Sequence, residues 1–260
     1  MANTKVTINE YELSETNGIT FTRVLHDSTP SREMNSAFFA RADRGVLLTS
    51  NWRVKRIVIE GIVKGDTQAE METNLDNLKK NISKKNMIME IDDYSGDIRK
   101  YYCDLASIAV ERNHYHILFA PLTITLDCID PAGYDLTQTE TNWSTTHTFV
   151  WEDCWTFRGS MPPDPIWEFD IVDAHLLNCI TLKNLNTEEW IKVCADYTAG
   201  DEILVDHRSL TVLVSGAEHD YDGVFPTWDS NVECADIIFS VSSGGRHRTV
   251  ITMRYTAKWL

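Results

Sequence analysis

The chain has 260 residues, of which 43% are hydrophobic and 24% are charged, and its formal net charge is −15. These values are typical of a globular protein with one large or two ordinary domains, and they exclude an intrinsically disordered chain. Residues 1–140 hold 16 basic and 21 acidic residues, and residues 141–260 hold 8 and 18. Because affinity for nucleic acid depends on neutralising phosphates, this balance predicts no sequence-specific nucleic-acid binding.

The sequence pattern indicates neither a membrane-spanning segment nor a secretion signal. The apolar runs fall short of the ~18 residues that a membrane-spanning helix needs. The opening stretch, MANTKVTINEYELSETNG, is too polar for the apolar core of a secretion signal. An acidic surface also repels anionic lipid headgroups. We therefore expect synthesis in the cytoplasm and no membrane partner.

The first predicted domain, residues 1–140, is β-rich with one helix. The helix is expected from Thr67 to Ile82, with Asp66 as its N-cap, because apolar residues recur there at helical spacing. These are Met71, Leu75, Leu78 and Ile82. The outer face of the helix is polar, so the helix should lie on a sheet.

Strands are expected on both sides of this helix. The segments 52–63 and 87–91 are rich in β-branched or apolar residues, and 97–112 and 114–129 form a long predicted pair with Asn113 at the turn. Pro121 lacks a backbone N–H, so it predicts a bulge or a sheet edge. The first domain is therefore predicted to be α+β.

Residues 141–164 are expected to connect the two domains, since the stretch GSMPPDP at 159–165 is rich in turn residues. From residue 165 to 260, short apolar runs follow one another at the spacing typical of a β-sandwich. The last run alternates regularly, with Ile251, Met253 and Tyr255 on one face. This regularity predicts that the C-terminal strand is tied into a sheet.

The six cysteines lie far apart in the sequence. No two of them are within ten residues of each other, which excludes CxxC and zinc-ribbon spacings. In a protein made in the cytoplasm, this distribution predicts reduced and mostly buried thiols. They are Cys103, Cys128, Cys154, Cys179, Cys194 and Cys234.

The segment EHDYDGVFPTWD, residues 218–229, has a partial likeness to a calcium-binding EF-hand loop. Its flanks are strand-like rather than helical, and Pro226 stands where a ligand would be needed. The favoured interpretation is a loop of the sandwich, held down by Tyr221, Phe225 and Trp228. The same three residues are candidates for docking a partner protein, and no metal site is predicted.

Catalytic and cofactor-binding motifs are not found in the sequence. The adjacent acid pairs Asp92/Asp93, Glu152/Asp153 and Glu188/Glu189 do not form dyads on a strand, where neighbouring side chains point to opposite faces. His114 and His116 share a strand face but have no third ligand nearby. We therefore expect no enzyme activity, no catalytic residues and no cofactor.

Seven of the eight tryptophans lie in the second half of the chain. Exposed aromatic rings on a sandwich stack on sugars or anchor a protein partner, whereas buried ones form its core. Trp143 and Trp228, which lie in polar segments, are the two expected to be exposed. A carbohydrate-binding module that contacts a cell surface is therefore one function that the sequence leaves open, and a cell-wall hydrolase is a more distant one.

Three blocks of sequence resemble the distal tail proteins of long-tailed bacteriophages with non-contractile tails. They span residues 50–260 and are EGIVKGDTQAEMETNLDNLKKNI, RKYYCDLASIAVERNHYHILFAPLTITLDCIDPAGYD, and the region from PDPIWEFDI through GDEILVDHRSLTVLVSG and HDYDGVFPTWDSN to MRYTAKWL. The order and spacing of these blocks carry the resemblance, and none of them is a catalytic signature.

The resemblance implies an N-terminal ring-forming domain followed by a galectin-like β-sandwich. It implies a homohexameric ring in the phage tail tip that joins the tail-tube protein to the tail-tip hub protein, with DNA passing through the ring. The sandwiches would offer a platform for receptor-binding proteins. A galectin-like fold does not by itself imply sugar binding, because one fold serves many functions.

Overall fold

The computed structural model describes residues 4–26, 28–38, 45–92, 97–112, 117–146 and 149–260. The chain divides into two compact units, the first comprising residues 1–134 with Leu260 and the second comprising residues 135–259. Among the described residues the structure is mainly antiparallel β-sheet, with one α-helix and one short 3-10 helix at Glu15–Asn17. The predicted fold class is confirmed in this respect.

Seven strands of the first unit lie side by side in one sheet, in the order β2-β1-β7-β8-β9-β6-β3. They are β1 (Lys5–Ile8), β2 (Tyr11–Glu12), β3 (Ile19–Leu25), β6 (Lys55–Lys64), β7 (Met87–Asp92), β8 (Ile98–Val110) and β9 (Phe119–Cys128). Two further strands, β4 (Arg32–Phe38) and β5 (Gly45–Trp52), pair with each other as a separate hairpin. The long pair predicted from 97–112 and 114–129 is therefore β8 and β9.

The helix α1 extends over Gln68–Ile82 and buries the four predicted apolar residues. Leu78 and Ile82 join the main core of the sheet, while Met71 and Leu75 pack with Val63 and Ala120. The helix therefore lies on the sheet, as its polar outer face predicts.

Two local predictions in the first unit were wrong. The N-cap is Thr67 rather than Asp66, because the Thr67 side chain accepts a hydrogen bond from the Glu70 N–H while the Glu70 carboxylate accepts one from the Asp66 N–H. Pro121 lies in a central strand whose pairing with β6 is unbroken from Cys128 to Phe119. The bulge is instead on β8, between Leu105 and Ser107.

Among the described residues, nine strands form the sheet of the second unit, and β10 (Gly133–Asp135) and β20 (Lys258–Trp259) lie outside it. The nine are β11 (Thr139–Thr146), β12 (Val150–Thr156), β13 (Ile166–Asn184), β14 (Trp190–Cys194), β15 (Glu202–Asp206), β16 (Thr211–Val214), β17 (Ala217–Glu218), β18 (Asp222–Gly223) and β19 (Val232–Tyr255). Strands β11 and β12 both pair with β19, so much of the stretch 141–164 that was predicted as a connection, up to Thr156, belongs to strands of this sheet.

Strands β13 and β19 are long enough to serve both layers of a sandwich. They pair along most of their length, with register shifts between Ile171 and Cys179. Before the shifts β13 pairs with β15, and after them it pairs with β14. Buried side chains from both halves, including Trp167 and Leu182, belong to one core cluster. Two layers that face each other across a shared core form a β-sandwich; its galectin-like character stays a prediction.

Four of the six cysteines form disulfides, so the expectation of six reduced thiols was wrong. Cys154 is bonded to Cys234, and Cys179 to Cys194, with Cα atoms 4.1 Å apart in each pair. Each pair is directly opposite on neighbouring antiparallel strands, β12 with β19 and β13 with β14. The sequence separations of 80 and 15 residues conceal this arrangement, because only strand pairing brings the thiols together.

Candidate functional site

The segment 218–229 is a surface loop of the second unit, and the three residues predicted to dock a partner differ in how far they are exposed there. Tyr221 is 41% exposed, Phe225 is half-buried against the core, and Trp228 is 4% exposed. The Tyr221 and Phe225 rings meet edge to face with centroids 5.2 Å apart. Only Tyr221 thus offers a large accessible aromatic surface in this loop, while Phe225 and Trp228 hold the loop on the sandwich.

Trp228 belongs to a cluster of aromatic rings inside the sandwich. Its ring lies 5.9 Å from Trp155 and 5.7 Å from Trp167, measured between centroids. Trp143 also packs against this core, with its ring 5.0 Å from that of Trp151. The expectation that Trp143 and Trp228 are the exposed tryptophans was therefore wrong for Trp228, and Trp143 is partly buried. A sugar-stacking role based on Trp228 has no accessible ring to support it.

Glu233 anchors the end of the loop from a buried position that the sequence analysis missed. Its carboxylate accepts hydrogen bonds from the side chains of Asn184 (2.8 Å) and Asn186 (3.1 Å) and from the Asp229 N–H (3.1 Å). The alternation of β19 contained the signal, because Glu233 shares the inward face with Ala235 and Ile237. A carboxylate on a buried face is expected to have such partners.

Glu189 anchors the middle of the loop from the neighbouring turn. Its carboxylate oxygen Oε2 accepts hydrogen bonds from the Thr227 N–H at 2.7 Å and from the Thr227 hydroxyl at 2.6 Å. These bonds stabilise the ionised form, so they lower the pKa of the Glu189 carboxyl. The Glu189 carboxylate therefore holds the backbone of the loop in place at Thr227.

Gly223 lets the loop approach β14 closely. Its φ is +92°, and a Cβ atom at this position would lie 2.2 Å from the Trp190 carbonyl oxygen. The next residue, Val224, donates its N–H to that same carbonyl at 2.8 Å. A side chain at position 223 would break this contact, so glycine is required there for a structural reason.

The acids of the loop do not come together as a set of three ligands. Glu218, Asp220 and Asp222 are exposed, and within the described residues three ligand-bearing side chains converge only elsewhere, at Glu168, Asp170 and Glu202. In that group Glu168 is paired with the Arg254 guanidinium. His114, His116 and Asp93 of the sequence analysis lie outside the described residues.

His207 lies beneath the loop and is 9% exposed. Its Nδ1 is 3.0 Å from the Pro165 carbonyl oxygen, so Nδ1 carries the proton and donates it. Its ring meets that of Phe225 at 5.3 Å. Burial lowers the pKa of His207 to about 4, because charging a desolvated ring is unfavourable.

We expect acid to destabilise the second unit through His207. Between pH 6.5 and about 4 the unfolded chain binds a proton that the folded one does not, so the stability present above pH 6.5 falls by about 1.4 kcal/mol per pH unit. Urea unfolding followed at pH 7 and pH 5 measures this loss. In His207→Asn, which keeps a donor for Pro165, the loss over this interval should shrink, whereas His219→Asn should behave like the wild type. An unchanged slope in His207→Asn would contradict the assignment.

Comparison with known proteins places the fold. No protein family and no curated protein matches the chain by sequence. Among solved structures, the Dit protein of phage SPP1 matches with a TM-score of 0.70 and 16% sequence identity, over 99% of this chain and 100% of that one. The chain is similar in fold to the SPP1 Dit protein. The resemblance to distal tail proteins is confirmed at the level of the fold.

The Dit-like fold covers both units, because the match spans nearly the whole of each chain. Two structures of the phage P2 baseplate in its activated conformation, one with Ca and one with Sr, also match. Their TM-scores are 0.46 and 0.44, with identities of 10% and 11% and coverage of at least 96% of each chain. Within the described part of the chain, the single α-helix of this Dit-like fold is too short and too polar to cross a membrane.

Proposed function

We propose that this protein is a structural component of a phage tail tip and has no catalytic role. The observation that carries the proposal is the match of the whole chain to the SPP1 Dit protein, which is described as a paradigm of the hub adsorption apparatus in phages that infect Gram-positive bacteria. A match confined to the sandwich would support only a binding module. The protein would be assembled in the host cytoplasm and remain in the virion.

In this role six copies form a closed ring that joins the tail-tube protein to the tail-tip hub protein. Closed cyclic symmetry requires each copy to present two complementary patches, one to each neighbour. The sheet of the first unit, with α1 packed on it, is a framework suited to present them. The second unit would offer docking surface to receptor-binding proteins, with Tyr221 as the accessible aromatic residue of its loop.

The charge of the protein suits a conduit for DNA. Six copies carry a formal charge of −90, six times −15. A lumen of the same sign would let DNA pass without sticking, since affinity for phosphate needs Lys and Arg. A lumen lined mainly by arginines such as Arg32 and Arg53 would contradict this part of the proposal.

An exposed apolar segment in the first unit is the surface that we expect a neighbouring copy to cover. Ile117, Leu118 and Phe119 are consecutive and are 56%, 47% and 40% exposed. Phe119 is the first residue of β9, and Ile117 and Leu118 directly precede it. The Leu118 carbonyl accepts a hydrogen bond from the N–H of Gly65, the residue that follows β6. The backbone of the segment is therefore held by a hydrogen bond while its apolar side chains are accessible. Contiguous exposed apolar residues of this kind are typical of protein–protein interfaces.

Mass photometry of the purified protein tests the proposal. We expect a species near six times 29.7 kDa, and we expect Leu118→Glu to shift the distribution towards the monomer. Leu210→Glu is the matched control, because Leu210 is 59% exposed but lies in the second unit. A strictly monomeric wild type, alone and together with the tail-tube protein of the same phage, would contradict the ring.

A further inference from the structure

All six cysteines lie in cross-strand pairs, although only two of the pairs are disulfides. Asp104 and Asp127 are directly opposite on β8 and β9, so the same register places Cys103 opposite Cys128. Both are free and buried, at 3% and 0% exposure. The two thiols are close enough for each to shift the pKa of the other. The third pair therefore has the same placement as the two that are already bonded.

A buried lysine lies beside the third pair. Lys55 is 1% exposed and is the cross-strand partner of Cys128 on β6. Its Nζ lies 5.0 Å from the centre of the Tyr101 ring. Lysine is rarely buried in a core, and an ammonium near a thiol favours the thiolate. The surroundings of Cys128 thus differ from those of a cysteine that merely fills a hydrophobic space.

The two thiols are made unequal by this geometry. The neighbouring Cys103 thiol and, after it, the charge of Lys55 lower the pKa of Cys128, against the opposing effects of burial, Asp127 and Asp130. The neighbouring Cys128 thiol, together with burial, raises the pKa of Cys103. A thiolate is the nucleophilic form of cysteine, so Cys128 is the more reactive member of the pair.

We propose that Cys103 and Cys128 form a redox-active dithiol, in which Cys128 is the nucleophile and Cys103 the resolving thiol, and that peroxides convert it to a third cross-strand disulfide. This inference is independent of the proposed tail-tip role, because it rests on the first unit alone.

The chemistry balances with hydrogen peroxide as the oxidant. The Cys128 thiolate attacks one peroxide oxygen, the O–O bond breaks and hydroxide leaves, which makes Cys128 a sulfenic acid. The Cys103 sulfur then attacks the Cys128 sulfur, the S–O bond breaks, and the hydroxyl leaves as water with the Cys103 proton. The hydroxide takes up the proton that Cys128 lost when it became a thiolate, so the peroxide becomes two water molecules while the two sulfurs lose two electrons in all.

Peptide mapping of the folded protein after treatment with hydrogen peroxide tests the proposal. We expect a crosslinked peptide pair containing Cys103 and Cys128 in the wild type. In Cys103→Ser, which lacks the resolving thiol, Cys128 should be trapped as a sulfenic acid by dimedone. In Cys128→Ser, Cys103 should stay unlabelled. Thermal melting of each variant checks that it remains folded.

The variant Lys55→Met tests whether the two thiols are an activated pair or are merely adjacent. It removes the positive charge beside Cys128 and keeps most of the side-chain length. Without the Lys55 charge a smaller share of Cys128 is thiolate at neutral pH, so we expect crosslinking to be severalfold slower. The wild-type measurement needs no variant, so it decides the matter even if a substitution unfolds the protein. Absence of the crosslink in the folded wild type, while the urea-unfolded chain oxidises readily, would overturn the proposal. Dimedone labelling of Cys103 instead of Cys128 would overturn the assigned roles.

Discussion

Reduction of the two disulfides is expected to lower the free energy of unfolding of the second unit by about 4 kcal/mol or more. The loop closed by Cys154 and Cys234 spans 80 residues, and a loop of this size restricts the unfolded chain by ~4 kcal/mol. The loop closed by Cys179 and Cys194 spans 15 residues, for which the same relation gives ~3 kcal/mol. Both bonds have at least one exposed cysteine, Cys154 and Cys194, so a small reductant can reach them.

Urea unfolding with and without dithiothreitol measures this effect. Tryptophan fluorescence reports mainly on the second unit, because seven of the eight tryptophans lie at or beyond Trp143. The double variant Cys154→Ser/Cys234→Ser should lose more stability than Cys179→Ser/Cys194→Ser, in the order of the loop lengths. Identical midpoints in both conditions would show that the bonds contribute nothing, and free thiols at Cys154, Cys179, Cys194 and Cys234 in the oxidised protein, by mass spectrometry, would show that the bonds do not form.

Trp167→Ala is expected to cost about 4 kcal/mol of stability, the upper part of the range for deleting a large buried aromatic side chain. Trp167 is fully buried, and its ring stacks on that of Phe169 and lies 5.3 Å from that of Trp155. The neighbouring rings are rigid and large, so they cannot collapse into the space that the indole leaves.

The matched control is Trp190→Ala, because Trp190 is 40% exposed and should cost less than about 1 kcal/mol. Chemical unfolding and the near-ultraviolet circular dichroism of the aromatic cluster measure both variants. Equal losses for Trp167 and Trp190 would mean that the cluster is not the core of the second unit.

The helix shows what a sequence pattern can determine by itself. Helical periodicity places Met71, Leu75, Leu78 and Ile82 on one face regardless of what the helix packs against, and all four are buried. Its start was predicted one residue too early, because Asp66 and Thr67 are both good caps. The choice between them depends on which side chain reaches the Glu70 N–H, and this is decided by the backbone geometry of the turn.

The candidate loop shows where such reasoning stops. The polar residues around Trp228 suggest exposure, yet the ring is buried because the loop folds back over the sandwich and is held by Glu189 and Glu233. Glu189 is 38 residues from its partner Thr227 along the chain, and Glu233 is 4 residues from its partner Asp229. The burial of Glu233 could be read from the alternation of β19, but its side-chain partners could not, since Asn184 ends β13 and Asn186 lies in the turn that follows.

The sequence by itself determined the β-rich class, the helix, the acidic balance and the resemblance to distal tail proteins, because each depends on local pattern or on the order of blocks. The tertiary structure decided which cysteines pair, which tryptophans are buried, and that β13 and β19 run through both layers of the sandwich. Pairing is a property of strand register, and register joins residues that the chain separates by up to 80 positions.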